Sequence, residues 1–311
     1  MSSDVLVTGA AGFAGSHLID LLARSGASPI AWHRPGGSPP REGANARWEA
    51  VDLLDQAQVQ AAIERARPTA VYHCAGAAHV GRAWDSTAVT LATNVRGTHH
   101  VLRALERAGV QAHVLVPSSA LVYASANEAL TEDHPLLPSN PYGLSKLAQE
   151  MLAVKSNDVL AVTIARPFNH VGPRQDPHFV ASGFARRIAD IERGRWAPEI
   201  SVGNLDARRD LTDVRDTVRA YQLILERGQP GRPYNVCSGH AITIRDLLDR
   251  LIARARVPVE VKIDPARYRP NDTPLLLGNP GRLHDELGWT AEIPIERTLD
   301  DLLEYWRNKT P

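Results

Sequence analysis

The stretch "NPYGLSKLAQE", residues 140 to 150, carries a tyrosine and a lysine four positions apart, Tyr142 and Lys146. On a helix that spacing puts both side chains on one face, one turn apart. A phenol titrates near 10, so moving protons near neutral pH requires its pKa to be tuned downward. A neighbouring ammonium does this by stabilising the phenolate. The chain has 35 basic side chains, yet only Lys146, Lys155, Lys262 and Lys309 are lysines. A lysine kept beside a tyrosine in an arginine-rich chain points to a need for a compact ammonium on a flexible stem. Such a group can also donate to sugar hydroxyls, which a broad guanidinium does poorly. The pair is a frequent chance pattern, so its meaning depends on the elements around it.

Those elements begin with "VLVTGAAGFAGSHL", which sets Gly9, Gly12 and Gly15 between a strand and a helix, with Phe13 and Ala14 among them. Glycines let the backbone turn tightly and approach a pyrophosphate, while a helix N-terminus offers free N–H groups and a positive dipole. The spacing is G-x-x-G-x-x-G. At the first strand of a βαβ chain it predicts dinucleotide binding. The end of the second strand states which dinucleotide, because an acid there binds the ribose of NAD. Here the stretch is "SPIAWHRPGG", with His33 and Arg34 and no acid. An arginine suits the 2′-phosphate of NADP by charge and by its fork of donors. NADP(H) is therefore expected ahead of NAD(H). Asp52 and Leu53 in "VDLLD" could hold the adenine amino group and its face.

Short apolar runs at 4–8, 29–32, 70–74, 112–117 and 160–165 alternate with helix-period stretches at 16–25, 56–65, 94–108 and 142–154. This alternation predicts an α/β fold, a Rossmann-type doubly wound parallel sheet. After Pro167 the texture changes to a proline-containing loop, "RPFNHVGPRQDPHFV". Helices follow at 181–193, 215–226, 244–254, 280–287 and 295–307, with strands at 199–202, 234–237 and 259–263. The expected division is a cofactor domain over 1–166 and a smaller, mainly substrate-binding portion over 167–311, with 204–240 partly returning to the sheet.

Composition narrows the classes. The chain has 311 residues, 43% hydrophobic and 23% charged, with 35 acidic residues balancing the 35 basic ones. No global basic field is present to hold nucleic acid or an acidic membrane. Cys74 and Cys237 each adjoin an apolar run and read as buried free thiols. No spanning apolar segment and no leader pattern is visible, and no metal site is expected. A cytoplasmic enzyme is the expectation.

Taken in order, "TGAAGFAG", "HCAGAAHV", "TNVRGTHHVLRA", "PSSALVY" and "YGLSK" resemble the blocks of the extended short-chain dehydrogenases/reductases, the NAD-dependent epimerase/dehydratase family, over essentially the whole chain. The resemblance implies Ser119, Tyr142 and Lys146 as catalytic, with Ser118 the alternative serine and a substrate neighbour. It implies that Ala75, Gly76 and Ala77 run along the cofactor, that Asn94 braces the sheet centre, and that Pro167 to Asn169 reach nicotinamide and substrate. Sugar 4,6-dehydratases of the family carry an acid one or two residues after the catalytic Ser/Thr. Here Ala120 and Leu121 stand there and cannot move a proton, which disfavours dehydration. The C-terminal half resembles GDP-4-keto-6-deoxy-mannose reductases, which form GDP-rhamnose. That resemblance implies Asn169, Val180, Asn204, Arg209, Arg269 and Asp272 as GDP-sugar contacts. For Arg208, Arg209 and Arg215, a solvated charge run paired with Asp206, Asp210, Asp213 and Asp216 is the bland alternative. An NAD-dependent nucleotide-sugar 4-epimerase is the alternative activity, and a non-catalytic dinucleotide sensor is disfavoured by the intact Tyr142 and Lys146. The resemblance implies a homodimer through the helix after Asn94 and the helix carrying Tyr142, with Val95, Val101, Leu102, Leu144, Leu147 and Met151 on that face, although these spacings equally suit packing on the sheet.

Overall fold

A computed structural model of the chain describes residues 5–37, 45–81, 83–268 and 273–309. The strands are β1 (Val5–Thr8), β2 (Ile30–His33), β3 (Arg47–Ala50), β4 (Ala70–His73), β5 (His113–Pro117), β6 (Ala161–Pro167), β7 (Asn169–Val171), β8 (Glu199–Val202), β9 (Arg208–Asp213), β10 (Pro233–Val236), β11 (Ala241–Thr243), β12 (Glu260–Ile263) and β13 (Leu275–Leu276). The helices are α1 (Phe13–Arg24), α2 (Gln56–Ala66), α3 (Thr87–Leu91), α4 (Gly97–Arg107), α5 (Pro141–Lys155), α6 (Val180–Glu192), α7 (Val214–Arg227), α8 (Ile244–Ile252), α9 (Gly281–Leu287) and α10 (Ile295–Asn308).

Seven strands pair in the order β10-β6-β5-β4-β1-β2-β3, and every pairing is parallel. Side chains alternate along each strand, so neighbours in sequence serve opposite cores. Leu6, Val71, Val114 and Val162 join α2, α4 and the end of α5 on one face through Val59, Ile63, Val101, Leu105 and Ala153. Val7, Tyr72 and Leu115 join α1 and α7 on the other through Leu18, Leu22, Val218 and Ile224. The chain order reverses between β1 and β4, which opens a crevice at the carboxyl ends of these strands. A third core, built by α6, α8 and α10 against β8 and β9, underlies the C-terminal half.

Five strands, β3, β7, β9, β11 and β13, lie outside the runs read from sequence, and two of them show why. β3 has the sequence RWEA and lies at the sheet edge, exposed at both ends. β9 has the sequence RRDLTD, yet its last four residues are buried. Asp210 accepts from Ser238 N (2.8 Å), Ser238 Oγ (2.6 Å), Gly239 N (3.0 Å) and Gly278 N (3.3 Å). Asp213 accepts from Arg215 Nε (2.9 Å) and Thr298 Oγ1 (2.7 Å). Asp210 and Asp213 are therefore not a solvated face, whereas Asp206 is exposed. The first two are buried carboxylates whose lone pairs are met. The expected dimer face also changes. Val101 and Leu102 pack into the sheet-side core, because α4 turns its apolar stripe inward. No helix among the described residues is long and apolar enough to cross a membrane.

Candidate active site

The loop after β1 is built by steric necessity. Gly9 has φ +64°, and a Cβ there would lie 2.6 Å from the Ala75 backbone. A Cβ on Gly15 would lie 2.2 Å from Gly9 O. These contacts bring the β1 loop, the start of α1 and the loop after β4 together. No side chain caps α1, and its first turn contains no acid. The amides of Phe13, Ala14 and Gly15 are thus free of intrahelical partners, beside an exposed Gly12. Arg34 follows β2 and is exposed, and its side chain forms no hydrogen bond or ion pair with the described residues. Asp52 and Leu53 follow β3 on the same side of the sheet. Asp52 Oδ1 accepts from Leu54 N (2.9 Å), and Leu53 packs on the core beside Gly97. This open, glycine-lined cradle with unpaired amides fits a dinucleotide.

Beyond β4, Ala77 N donates to Asn94 Oδ1 (2.7 Å), and Asn94 Nδ2 donates to Ser145 Oγ (2.8 Å). Asn94 is fully buried in a π turn over residues 92–96. It ties the Ala75–Gly76–Ala77 loop to α5. Helix α5 starts cleanly because Asn140 Oδ1 accepts from Gly143 N (2.8 Å) and Pro141 occupies its first position. Gly143 is required, since a Cβ would meet Leu121 O at 2.3 Å. That close approach sets Tyr142 against the residues after β5.

Ser119 is the side chain that favours the Tyr142 phenolate, against burial. Ser119 Oγ accepts from Leu121 N (3.1 Å), which fixes its rotamer. Ser118 is buried, and its Oγ meets no partner among the described residues. Ala120 is buried and Leu121 packs in an apolar cluster, so no acid stands next to Ser119. Lys146 is 6% exposed and donates to Gln149 Oε1.

The electrostatics depart from the expected tuning. Burial pushes the Tyr142 phenol up to about 12, opposed by the Ser119 side chain. Burial pulls the Lys146 ammonium down to about 8, opposed by Cys74 and Glu150. Lys146 is not among the groups that shift Tyr142 in the protein alone; its ammonium donates to Gln149, one turn further along α5. A second buried pair supports the site from behind. Arg166 Nε donates to Glu150 Oε2 (3.2 Å) and Nη1 to Tyr123 OH (2.9 Å), while Nη2 also bonds Glu150. This pair ties α5 to β6, whose end carries the buried Pro167.

Past β6, the chain is pinned to α1. His17 Nε2 donates to Pro173 O (2.8 Å), and Arg174 donates to His17 Nδ1 (2.9 Å) and Asp20 (2.6 Å). Phe13 stacks on His170. Strand β7 pairs with β9, matching Asn169 to Leu211. Arg209 lies two residues away on the same face of β9. The Arg209 guanidinium donates to the carbonyls of Arg208 (2.9 Å) and Thr273 (2.7 Å). Val180, exposed, begins α6. Asn204 lies in the β8–β9 loop, where its Oδ1 accepts from Asp206 N (2.9 Å). Arg269 and Asp272 lie outside the described residues. Gln149, Thr98, His73, Glu150 and Arg166 were not read from sequence. Their one local signal was the i+3 and i+4 spacing of Gln149 and Glu150 from Lys146.

A glycine-lined nucleotide cradle at the switch point of a parallel sheet, with a tyrosine coupled to a serine and a lysine one turn further on, defines an NAD(P)-dependent short-chain oxidoreductase. A model of the GDP-mannose 4,6 dehydratase family matches residues 6–302, and the chain belongs to that family, within the extended short-chain dehydrogenases/reductases. It is 37% identical to the GDP-6-deoxy-D-mannose reductase of Pseudomonas aeruginosa, over 99% of each chain. The structure of RMD from Pseudomonas aeruginosa complexed with NADPH superposes with a TM-score of 0.87, at 35% identity, covering 98% of this chain and 99% of that one. A Thermus thermophilus UDP-glucose 4-epimerase in complex with NAD gives 0.88 at 28% identity, covering 98% and 99%.

Proposed function

We propose that the chain reduces the C4 ketone of GDP-4-keto-6-deoxy-D-mannose with NADPH, giving GDP-D-rhamnose. The observation that carries this reading is the Tyr142–Ser119 pair set beside Ala120 and Leu121. It provides a proton donor at an oxygen and no second acid to expel water. The 37% identity to a GDP-6-deoxy-D-mannose reductase supports the sugar. The exposed, partner-free Arg34 where NAD-binding sites keep an acid supports NADPH over NADH, and reductase over epimerase.

Residues 1–166 would hold the cofactor and 167–311 mainly the sugar nucleotide. The free amides of α1 and Arg34 would hold the phosphates, and Ala75 to Ala77 would line the path of the dinucleotide. Bound NADPH supplies the hydride that C4 receives. Ser119 Oγ then orients the ketone oxygen, and Tyr142 donates its hydroxyl proton to it as the C=O bond becomes an alkoxide. The phenolate left behind is stabilised by the Lys146 ammonium, whose charge compensates the burial that otherwise holds Tyr142 up. Asn169, Val180, Asn204 and Arg209 would line the sugar-nucleotide side, with Arg269 and Asp272 following in sequence. The exposed stripe of Leu144, Met151 and Val154 on α5, beside Val89 of α3, supports pairing of two copies through this face. Two free thiols suit a cytoplasmic location.

The test is to mix the protein with NADPH and the keto-sugar made by a GDP-mannose dehydratase. Loss of NADPH absorbance with formation of a GDP-6-deoxyhexose is expected. Folded protein that consumes no NADPH refutes the reading, and protein purified with tightly held NAD⁺ would favour the epimerase.

A further inference from the structure

Lys146 ends a chain of buried side chains that crosses the sheet. Thr98 Oγ1 lies 2.6 Å from Asn94 O, 2.8 Å from His73 Nε2 and 2.7 Å from Gln149 Nε2. His73 Nδ1 lies 2.9 Å from Thr8 Oγ1, which accepts from Ala75 N at 3.3 Å. Thr8, Thr98 and Gln149 are fully buried and His73 nearly so.

The protons in this chain can be assigned by counting. A carbonyl oxygen only accepts, so the single Thr98 hydroxyl proton goes to Asn94 O. Thr98 Oγ1 then has only lone pairs for its other neighbours. His73 must therefore carry its proton on Nε2 and donate, and Gln149 must turn its amide nitrogen to Thr98. Burial keeps His73 neutral, with its pKa down near 3, so bare Nδ1 accepts from Thr8. The Gln149 amide is consequently locked with its oxygen on Lys146. A flipped amide would present N–H to an ammonium and oxygen to a hydroxyl with no proton left to give.

We propose that Gln149 is a positioning residue for Lys146: its oxygen, locked by Thr98 and His73, holds the ammonium charged and in place beside Tyr142. Among the described residues, Gln149 is the hydrogen-bond acceptor that Lys146 meets. The other groups facing the ammonium supply less. Cys74, just after β4, is a half-buried thiol pushed up to about 12, and His73 is neutral. Glu150 on the same helix is committed to Arg166 of β6. Tyr142 is a neutral phenol. The network also joins the lysine to the backbone of Ala75 in the proposed cofactor path, through residues that sequence spacing does not relate. The catalytic consequence rests on the reductase reading, but the test does not.

With four lysines in the chain, protein labelled at lysine Cε gives few NMR signals, and Lys146→Arg assigns the one that matters. In the cofactor-free wild type, Lys146 should titrate near 8. Gln149→Met keeps the length but removes the acceptor, and should lower the midpoint by about one pH unit. Gln149→Glu brings a carboxylate and should raise it by about one unit. Opposite shifts in two full-length, folded variants are not what lost packing would produce. If turnover is present, the alkaline limb of kcat should move in the same directions. An unchanged Lys146 midpoint in either folded variant overturns the proposal. A protein that titrates as expected but reduces no keto-sugar leaves it standing and removes the reductase reading.

Discussion

Replacing Arg34 by alanine separates the two cofactors. The guanidinium is exposed and partner-free among the described residues, and its backbone is held by a tight turn in which Gly37 N donates to Arg34 O (2.9 Å). The side chain therefore contributes little to folding, and Arg34→Ala should change stability by less than about 0.5 kcal/mol. Its proposed work is a charge-assisted contact with the 2′-phosphate. Hydrogen bonds to charged groups are worth about 1.5–3 kcal/mol, or about 10- to 100-fold in affinity. Exposure and salt screening place this site at the lower end, about tenfold near physiological ionic strength and more at low salt. The assay is titration calorimetry with NADPH and NADH at two salt concentrations. The wild type should prefer NADPH, and Arg34→Ala should weaken NADPH about tenfold while leaving NADH unchanged. Equal loss for both cofactors would place Arg34 elsewhere in the site. Unchanged NADPH binding would refute the assignment of the phosphate to this residue.

Tyr142→Phe should bind NADPH normally and lose about 10²- to 10⁴-fold in turnover, the usual contribution of a proton donor, as read by steady-state NADPH oxidation. Lys146→Arg keeps the charge but not the shape or reach, so a large fall in turnover is expected, and wild-type rates would contradict it. Glu150→Leu strands the buried Arg166 and should cost about 3–5 kcal/mol in urea unfolding; a much smaller loss would mean that the pair is solvated. Acidification should also destabilise the fold. Burial holds His17 near 4 and His73 near 3, against 6.5 for the ordinary side chain. The unfolded chain therefore binds protons first, and stability should fall as pH drops below about 6.5, by on the order of 1.4 kcal/mol per unit per histidine. His17→Gln should reduce that slope between about 6.5 and 4 in pH-dependent unfolding.

Much of the site is written in short local patterns. The glycines of the β1 loop, the Tyr142–Lys146 spacing, the two apolar residues after Ser119 and the arginine after β2 all lie within single segments, so their chemistry was legible without the fold. Periodicity likewise located most helices and the buried strands. It failed at β3, whose edge position needs no apolar run, and at β9, whose acids are buried only because Ser238, Gly239, Gly278, Arg215 and Thr298 come to meet them. Nor could it choose between dimer face and sheet for Val101 and Leu102, since a helical stripe shows its period but not which neighbour it faces.

By itself, then, the sequence determined the class of chemistry, the cofactor preference and the parallel sheet, because each depends on residues close in the chain. The tertiary structure decided the state of the groups. Tyr142 is held high and Lys146 low by burial, and burial is a property of the packed whole. The partner that holds the lysine is itself set by Thr98, 51 positions from Gln149, and by a Thr8–His73 contact across 65 positions. Hydrogen bonds over such separations exist only when adjacent parallel strands and the helices covering them bring their ends to one crevice.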